Sequence, residues 1–234
     1  MHGTTASIEA LVQGLLGSAS GGNCDVIVSP PFPYLTLVHR MVEGAGIEVA
    51  AQTCSAHAHG AHTGEVAADM LADIGCQWVI VGHSERRQAG EADEDVAAQA
   101  VAARSAGLKP ILCVGETLDQ RQAGQAVSVV TGQIEAFVAD LAEGDVIAYE
   151  PVWAIGTGET ATPAQAQEMH AEIRACLAKH KPELADSVRL LYGGSVKADN
   201  AKALFAEQDI DGGLVGGASL KAEDFSAIIE ATRN

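Results

Sequence analysis

The chain has 234 residues, 47% of them apolar, and a formal net charge of −17. So negative a field opposes nucleic acid and anionic lipid as partners. No run of about 18 apolar residues is present, so no helix is expected to span a membrane. The opening residues, Met1 to Thr5, carry neither a basic nor an apolar region, and no signal peptide is expected. Five scattered cysteines (Cys24, Cys54, Cys76, Cys113 and Cys176) suit a reduced, cytoplasmic compartment better than a disulfide framework.

Taken in order, residues 5–18 carry apolar side chains at helical spacing and predict an opening helix. A short apolar strand at 25–29, stopped by Pro30 and Pro31, leads to a helix at 34–43 and a strand at 48–52. The alternation continues with a helix at 65–74, a strand at 78–81, a helix at 93–106 and a strand at 110–114. A helix at 126–142, a strand ending at Glu150, a helix at 163–180 and a strand at 189–192 follow. The last elements are a helix at 198–205, a strand at 213–215 and a helix at 222–231. The strands lack polar alternation, as strands covered on both faces by crossover helices do, so the sheet is expected to be parallel. The pattern is that of a (β/α)8 TIM barrel with seven parallel strands and eight helices, one strand short of closure and arranged as one domain over residues 1–234. The missing strand belongs before the first helix, which leaves the strands ending at Ser29 and Val215 with unpaired edges.

In a parallel barrel the chemistry sits at the C-terminal ends of the strands. One such end is Tyr149-Glu150-Pro151-Val152-Trp153-Ala154-Ile155-Gly156-Thr157-Gly158. Pro151 stops the strand, Glu150 is placed as a candidate general base, and the apolar, glycine-hinged segment Trp153 to Gly158 reads as a lid over it. His83, which closes the strand at 78–81, faces the same mouth and is a candidate electrophile or proton shuttle. Tyr192-Gly193-Gly194-Ser195 and Gly216-Gly217-Ala218-Ser219 expose backbone N–H groups after consecutive strands, and such turns into helices cradle phosphate without a cation. A base, a neutral imidazole and a phosphate cradle together describe proton abstraction next to a carbonyl on a phosphorylated substrate. Cys54, His57, His59 and His62 match no zinc spacing, so no metal is expected. The acidic run 91–95 reads as a solvated helix start, with Glu91 pairing Arg86.

Four stretches together closely resemble triosephosphate isomerases over essentially the whole chain: Gly82-His83-Ser84-Glu85-Arg86-Arg87, the segment 149–158, Tyr192-Gly193-Gly194-Ser195-Val196, and Gly213-Leu214-Val215-Gly216-Gly217-Ala218. The resemblance implies Glu150 as the base that shuttles a proton between carbons, and His83 as the group that polarises the carbonyl and enediolate oxygens. These two roles and lid closure are standard for that enzyme. It also implies residues 153–158 as the lid, and phosphate held by Gly156, Ser195, Gly216 and Gly217. No cofactor is implied. Gly60-Ala61-His62-Thr63-Gly64-Glu65 resembles the family's dimer loop, so a homodimer built through His62, Thr63 and Gly64 is expected.

Three departures stand out. The family usually shows Phe at His62 and Lys at Glu159. Its first strand ends in Asn-Trp-Lys before a Met that corresponds to Met1, so the substrate-binding Asn and Lys are not among these 234 residues. Glu85, which resembles the residue that contacts that Lys, lacks its partner. The reading is therefore a cofactor-free isomerase of a phosphorylated triose whose turnover, in the chain as it stands, is severely reduced or absent. The alternative is a catalytically inactive dimeric barrel that still binds phosphate compounds.

Overall fold

Seven short apolar runs form the strands β1 (Val26–Val28), β2 (Ile47–Ala51), β3 (Trp78–Val81), β4 (Lys109–Val114), β5 (Val146–Tyr149), β6 (Arg189–Tyr192) and β7 (Gly212–Gly213) in a computed structural model. The structure describes residues 1–17, 24–155 and 160–232. All neighbouring strands are parallel, and each pairs only with its neighbours in sequence, in the order β1 to β7. The sheet curls as an α/β barrel that lacks one strand, with β1 and β7 at its two edges.

The eight expected helices form as α1 (Thr5–Leu15), α2 (Leu35–Val42), α3 (Ala68–Asp73), α5 (Asp93–Ser105), α7 (Ala126–Glu135), α8 (Pro163–His180), α9 (Ala201–Phe205) and α10 (Ala222–Glu230). Two short ones are added among the described residues, α4 (Ser84–Gln88) and α6 (Leu118–Gln122), each directly after a strand. The start of α8 follows from its sequence: Thr162 and Gln165 form a capping box and Pro163 occupies the first turn, where its missing N–H costs nothing. The end of α7 comes early, at Glu135, because the chain tightens into a 3-10 turn at Val138–Asp140.

Alternation along each strand divides the core. Trp78, Ile80, Ile111, Cys113, Val146 and Ala148 point into the barrel, where Ile27, Leu191 and Leu214 pack on them while staying partly exposed. Of these three, Ile27 lies on the edge strand β1, Leu214 directly follows the edge strand β7, and Leu191 lies on β6 beside it. Val79, Val81, Leu112, Ile147, Leu190 and their neighbours face the helices. Burial of each such side chain contributes about 1.5–3 kcal/mol. At the strands' N-terminal ends the barrel has a charged floor. Lys109 and Arg189 lie over the Trp78 ring at 4.8 and 5.6 Å, the indole N–H donates to Glu48 at 2.8 Å, and Arg189 reaches Asp25 at 2.6 Å. Outside the sheet, α1 packs on both α2 and α10, so the helical layer meets across the side where the sheet is open.

Residues 57–65 form a wholly exposed loop. Ser55 ties its ends: its hydroxyl accepts the His57 N–H at 3.1 Å and donates to Glu65, and its N–H donates to the Val66 carbonyl at 2.8 Å. The rings of His57 and His62 stack in parallel with centres 4.0 Å apart. Among the described residues no group of three or more His, Cys, Asp or Glu is arranged to hold a metal ion.

Candidate active site

β5 delivers Glu150 to the mouth, and the backbone around it leaves little room. Its N–H donates to the Val114 carbonyl at 2.7 Å, and the next strand's Gly193 N–H donates to the Tyr149 carbonyl at 2.7 Å. Glycine is required on both flanks. A Cβ on Gly115 would fall 1.8 Å from the Glu150 carbonyl oxygen, and one on Gly193 would fall 2.9 Å from the Glu150 Cγ. Two bare backbones thus grip the residue that carries the carboxylate.

The Glu150 side chain is 2% exposed and, among the described residues, has three N–H or O–H donors with the Cys113 thiol beside them. The Ser84 N–H donates to Oε2 at 2.8 Å, the Ser84 hydroxyl donates to Oε1 at 3.2 Å, and His83 Nε2 lies 2.9 Å from Oε1. Its direction is therefore fixed toward the start of α4. His83 caps that helix: its Nδ1 accepts the Glu85 N–H at 3.3 Å. An Nδ1 that accepts carries no hydrogen, so the neutral ring is the tautomer with hydrogen on Nε2, aimed at Glu150. Burial of the ring works against the imidazolium, but the hydrogen bond and charge of Glu150, with the charge of Glu85, outweigh it and raise the His83 pKa above the ordinary histidine value. Glu85 itself is exposed.

The segment after the base is clamped at its root. Glu116, fully buried at the end of β4, accepts at one oxygen from the Trp153 indole N–H (2.9 Å), the Tyr149 hydroxyl (3.1 Å) and Arg121 (2.9 Å). The Arg121 guanidinium also covers the Trp153 ring at 4.9 Å. Ala154 is buried, and Trp153 and Ile155 are half-buried, so the first part of the expected lid is tucked in. Gly156, Thr157 and Gly158 lie outside the described residues, as does Glu159.

The two glycine turns stand at the same mouth, after β6 and β7. Asn200 staples the first by donating to the Ser195 carbonyl at 2.9 Å and accepting the Lys197 N–H at 2.8 Å. Here the structure differs from the expectation that these turns run straight into helices. α9 starts only at Ala201, and Gly216-Gly217 opens a 3-10 turn, with α10 beginning at Ala222. What the turns offer is backbone N–H groups rather than a long helix end. The N–H groups of Ser195, Gly216 and Gly217 make no hydrogen bond among the described residues. Nothing lies within 4 Å of where a Cβ on Gly216 or Gly217 would sit, so this side is open.

The sequence reading thus places His83, Glu150, Ser195, Gly216 and Gly217 at one end of the barrel. Ser84 and Glu116 were not singled out by it. Ser84 adjoins His83 and could have been found as the first N–H of a helix after a strand end; Glu116 had only the Gly115-Glu116 strand end as its signal. Arg86 pairs with Glu91 at 2.6 Å, as the spacing suggested.

A family model described as triosephosphate isomerase matches residues 1–232. Among curated relatives, the triosephosphate isomerase of Paracidovorax citrulli is 55% identical over 238 residues, covering 99% of this chain and 94% of its own. That of Pseudomonas syringae pv. tomato is 52% identical over 240 residues (100% and 96%), and that of Hahella chejuensis 51% over 233 residues (98% and 94%). With this barrel and these matches, the chain belongs to the triosephosphate isomerase family.

Proposed function

We propose that the protein interconverts dihydroxyacetone phosphate and glyceraldehyde 3-phosphate by proton transfer, without a cofactor. The observation that carries this reading is the direct contact of His83 Nε2 with Glu150 Oε1 at 2.9 Å. While tied to each other, the two groups cannot act on substrate, so a triose must insert between them. Glu150 then takes a proton from the carbon beside the carbonyl, and His83 donates from Nε2 to the oxygens of the resulting enediolate. Return of the proton to the neighbouring carbon completes the isomerisation with no net gain or loss of atoms. The N–H groups of Ser195, Gly216 and Gly217, with Gly156 of the lid, hold the phosphate; Glu85 acts on His83 through its backbone N–H and its charge.

This reading carries an expectation for the 234 residues expressed by themselves. The mouth faces a dianionic substrate in a chain of net charge −17. Lys109 lies on the opposite floor, over Trp78, and Lys197 is exposed beyond the first glycine turn. Loss of one preorganised donor commonly lowers rate by about 10²–10³. A coupled isomerase assay on the 234 residues is therefore expected to give turnover at least about 10²-fold below that of the same chain with a family-like first strand placed ahead of Met1. Equal turnover of the two refutes the dependence. Absence of turnover in both, with phosphate compounds still bound, favours the alternative of an inactive phosphate-binding barrel.

The chain is proposed to be one domain and to act as a cytoplasmic homodimer through His62, Thr63 and Gly64. The support is an entirely exposed loop tied only at its base. Light scattering at micromolar concentration is expected to give twice the chain mass, and a monomeric mass rejects the dimer.

A further inference from the structure

Behind the mouth, on the helix-facing side of the sheet, β5 and β6 end in tyrosines that face each other in register. Tyr149 and Tyr192 are partners in the β5–β6 ladder, and both are at most 1% exposed. His170 of α8, itself fully buried, packs on both rings. It stands edge-on to Tyr149 with centres 5.8 Å apart, and tilted to Tyr192 at 6.4 Å.

The ring's protonation follows from its partner. Nδ1 lies 3.0 Å from the Asp209 carbonyl oxygen, which can only accept, so the hydrogen is on Nδ1. Nε2 is then a bare acceptor, and it is buried with no donor among the described residues. Burial, chiefly, lowers the His170 pKa to about 4, so the lone pair stays available at neutral pH. The complementary group is on the neighbouring ring: the buried Tyr192 hydroxyl oxygen faces the Ala161 N–H, but its proton has no acceptor among the described residues. Unpaired buried polar atoms are rare, and a lone donor beside a lone acceptor is a stronger signal than either.

Both tyrosines lead to working groups. Tyr149 immediately precedes Glu150, and its hydroxyl holds Glu116, which holds Trp153. Tyr192 immediately precedes the Gly193-Gly194-Ser195 turn. Its hydroxyl lies so close to Gly194 that a Cβ there would sit 2.2 Å from it, in the same corner as Pro151.

We infer that His170 is a positioning residue: it braces Tyr149 and Tyr192 from behind, and its Nε2 accepts the Tyr192 hydroxyl proton through one bridging water, which keeps Glu150 and the phosphate turn in fixed relation. The spacing role rests on the proposed function of those two groups; the hydrogen bond does not.

Two arms test it. In protein labelled with ¹⁵N-histidine, Tyr192→Phe is expected to move the His170 Nε2 resonance toward that of an unbonded acceptor. An unmoved resonance overturns the pairing. In the second arm, His170→Asn keeps a donor for the Asp209 carbonyl but removes the acceptor, while His170→Gln keeps an acceptor at Nε2 reach. His170→Asn is expected to weaken binding of glycerol 3-phosphate, a non-isomerising phosphate monoester, and to lower kcat more than it changes KM. A loss of about tenfold is expected, short of the ~10²-fold that a 1 Å misplacement costs, with His170→Gln recovering most of it. Equal losses in both variants, in step with their melting temperatures, reduce His170 to packing and overturn the positioning role. Absence of turnover even with a family-like first strand restored counts against the proposed function, while the ¹⁵N arm and the binding measurement still decide this one.

Discussion

Glu150→Gln is expected to lower isomerase turnover by about 10²–10⁴ relative to the unsubstituted chain, the range for loss of a positioned general base. Glutamine keeps the volume and can still accept from Ser84, so the fold is expected to persist. The same substitution has a readout that needs no turnover. The Glu150 hydrogen bond and charge are the main groups that raise the His83 pKa against burial. Removing the charge is therefore expected to lower that pKa, measured by NMR titration of the imidazole. The sign for stability follows. In the unsubstituted chain His83 holds its proton more tightly folded than unfolded, so its contribution is complete below about pH 6.5, the unfolded value, and fades as pH rises through the higher folded value. In Glu150→Gln that part of the pH dependence is expected to flatten. An unchanged His83 titration would sink the assignment of Glu150 as its controlling partner.

Gly115→Ala is expected to be the most disruptive single-methyl change near the site. The added Cβ would lie 1.8 Å from the Glu150 carbonyl oxygen, and the atom in its way is backbone, which cannot step aside as a side chain could. Overpacking of this kind costs about 1–3 kcal/mol or more, and here it displaces the residue that bears the base. Urea denaturation is expected to show a loss near the top of that range, with turnover falling alongside. Gly132→Ala, inside α7, is the control, because nothing lies within 4 Å of the added Cβ and a helical backbone suits alanine. Comparable destabilisation by the two substitutions would refute the account of Gly115.

The fold was legible because the barrel's period is simple. Short apolar runs without polar alternation, each followed by a helical repeat, can hardly be assembled in another way. Pro163–His180 was readable to the residue because Thr162, Pro163 and Gln165 mark its start and two basic residues, Lys179 and His180, its last turn. The helix at 126–142 was overrun because neither glycine nor proline marks its true end at Glu135, where tertiary packing of Phe137 and Val138 takes over. In the site, His83 and Glu150 could be placed at one mouth by counting strand ends, but their direct contact could not. It depends on side-chain torsions and on the Ser84 N–H, which a linear pattern does not display. Glu116 was hidden for a similar reason. Its three donors, Tyr149, Trp153 and Arg121, come from β5, the segment after it and α6, and converge only when the strand ends are brought side by side.

The strand order has a consequence for how the molecule forms and comes apart. Every strand pairs only with its sequence neighbours, so most of the sheet can grow one β/α unit at a time through short loops, which keeps contact order low for so large a parallel sheet. The meeting of α1 with α10 is the exception, since it joins the two extremes of the chain and must bear the entropy of the longest loop closure. That seam is therefore the last joint to set and the first to loosen. Under native-state hydrogen exchange, amides of α1 and α10 are expected to open at lower free energy than those of β3, β4 and β5, so that the ring unzips from its ends while the strand that carries the base is still held.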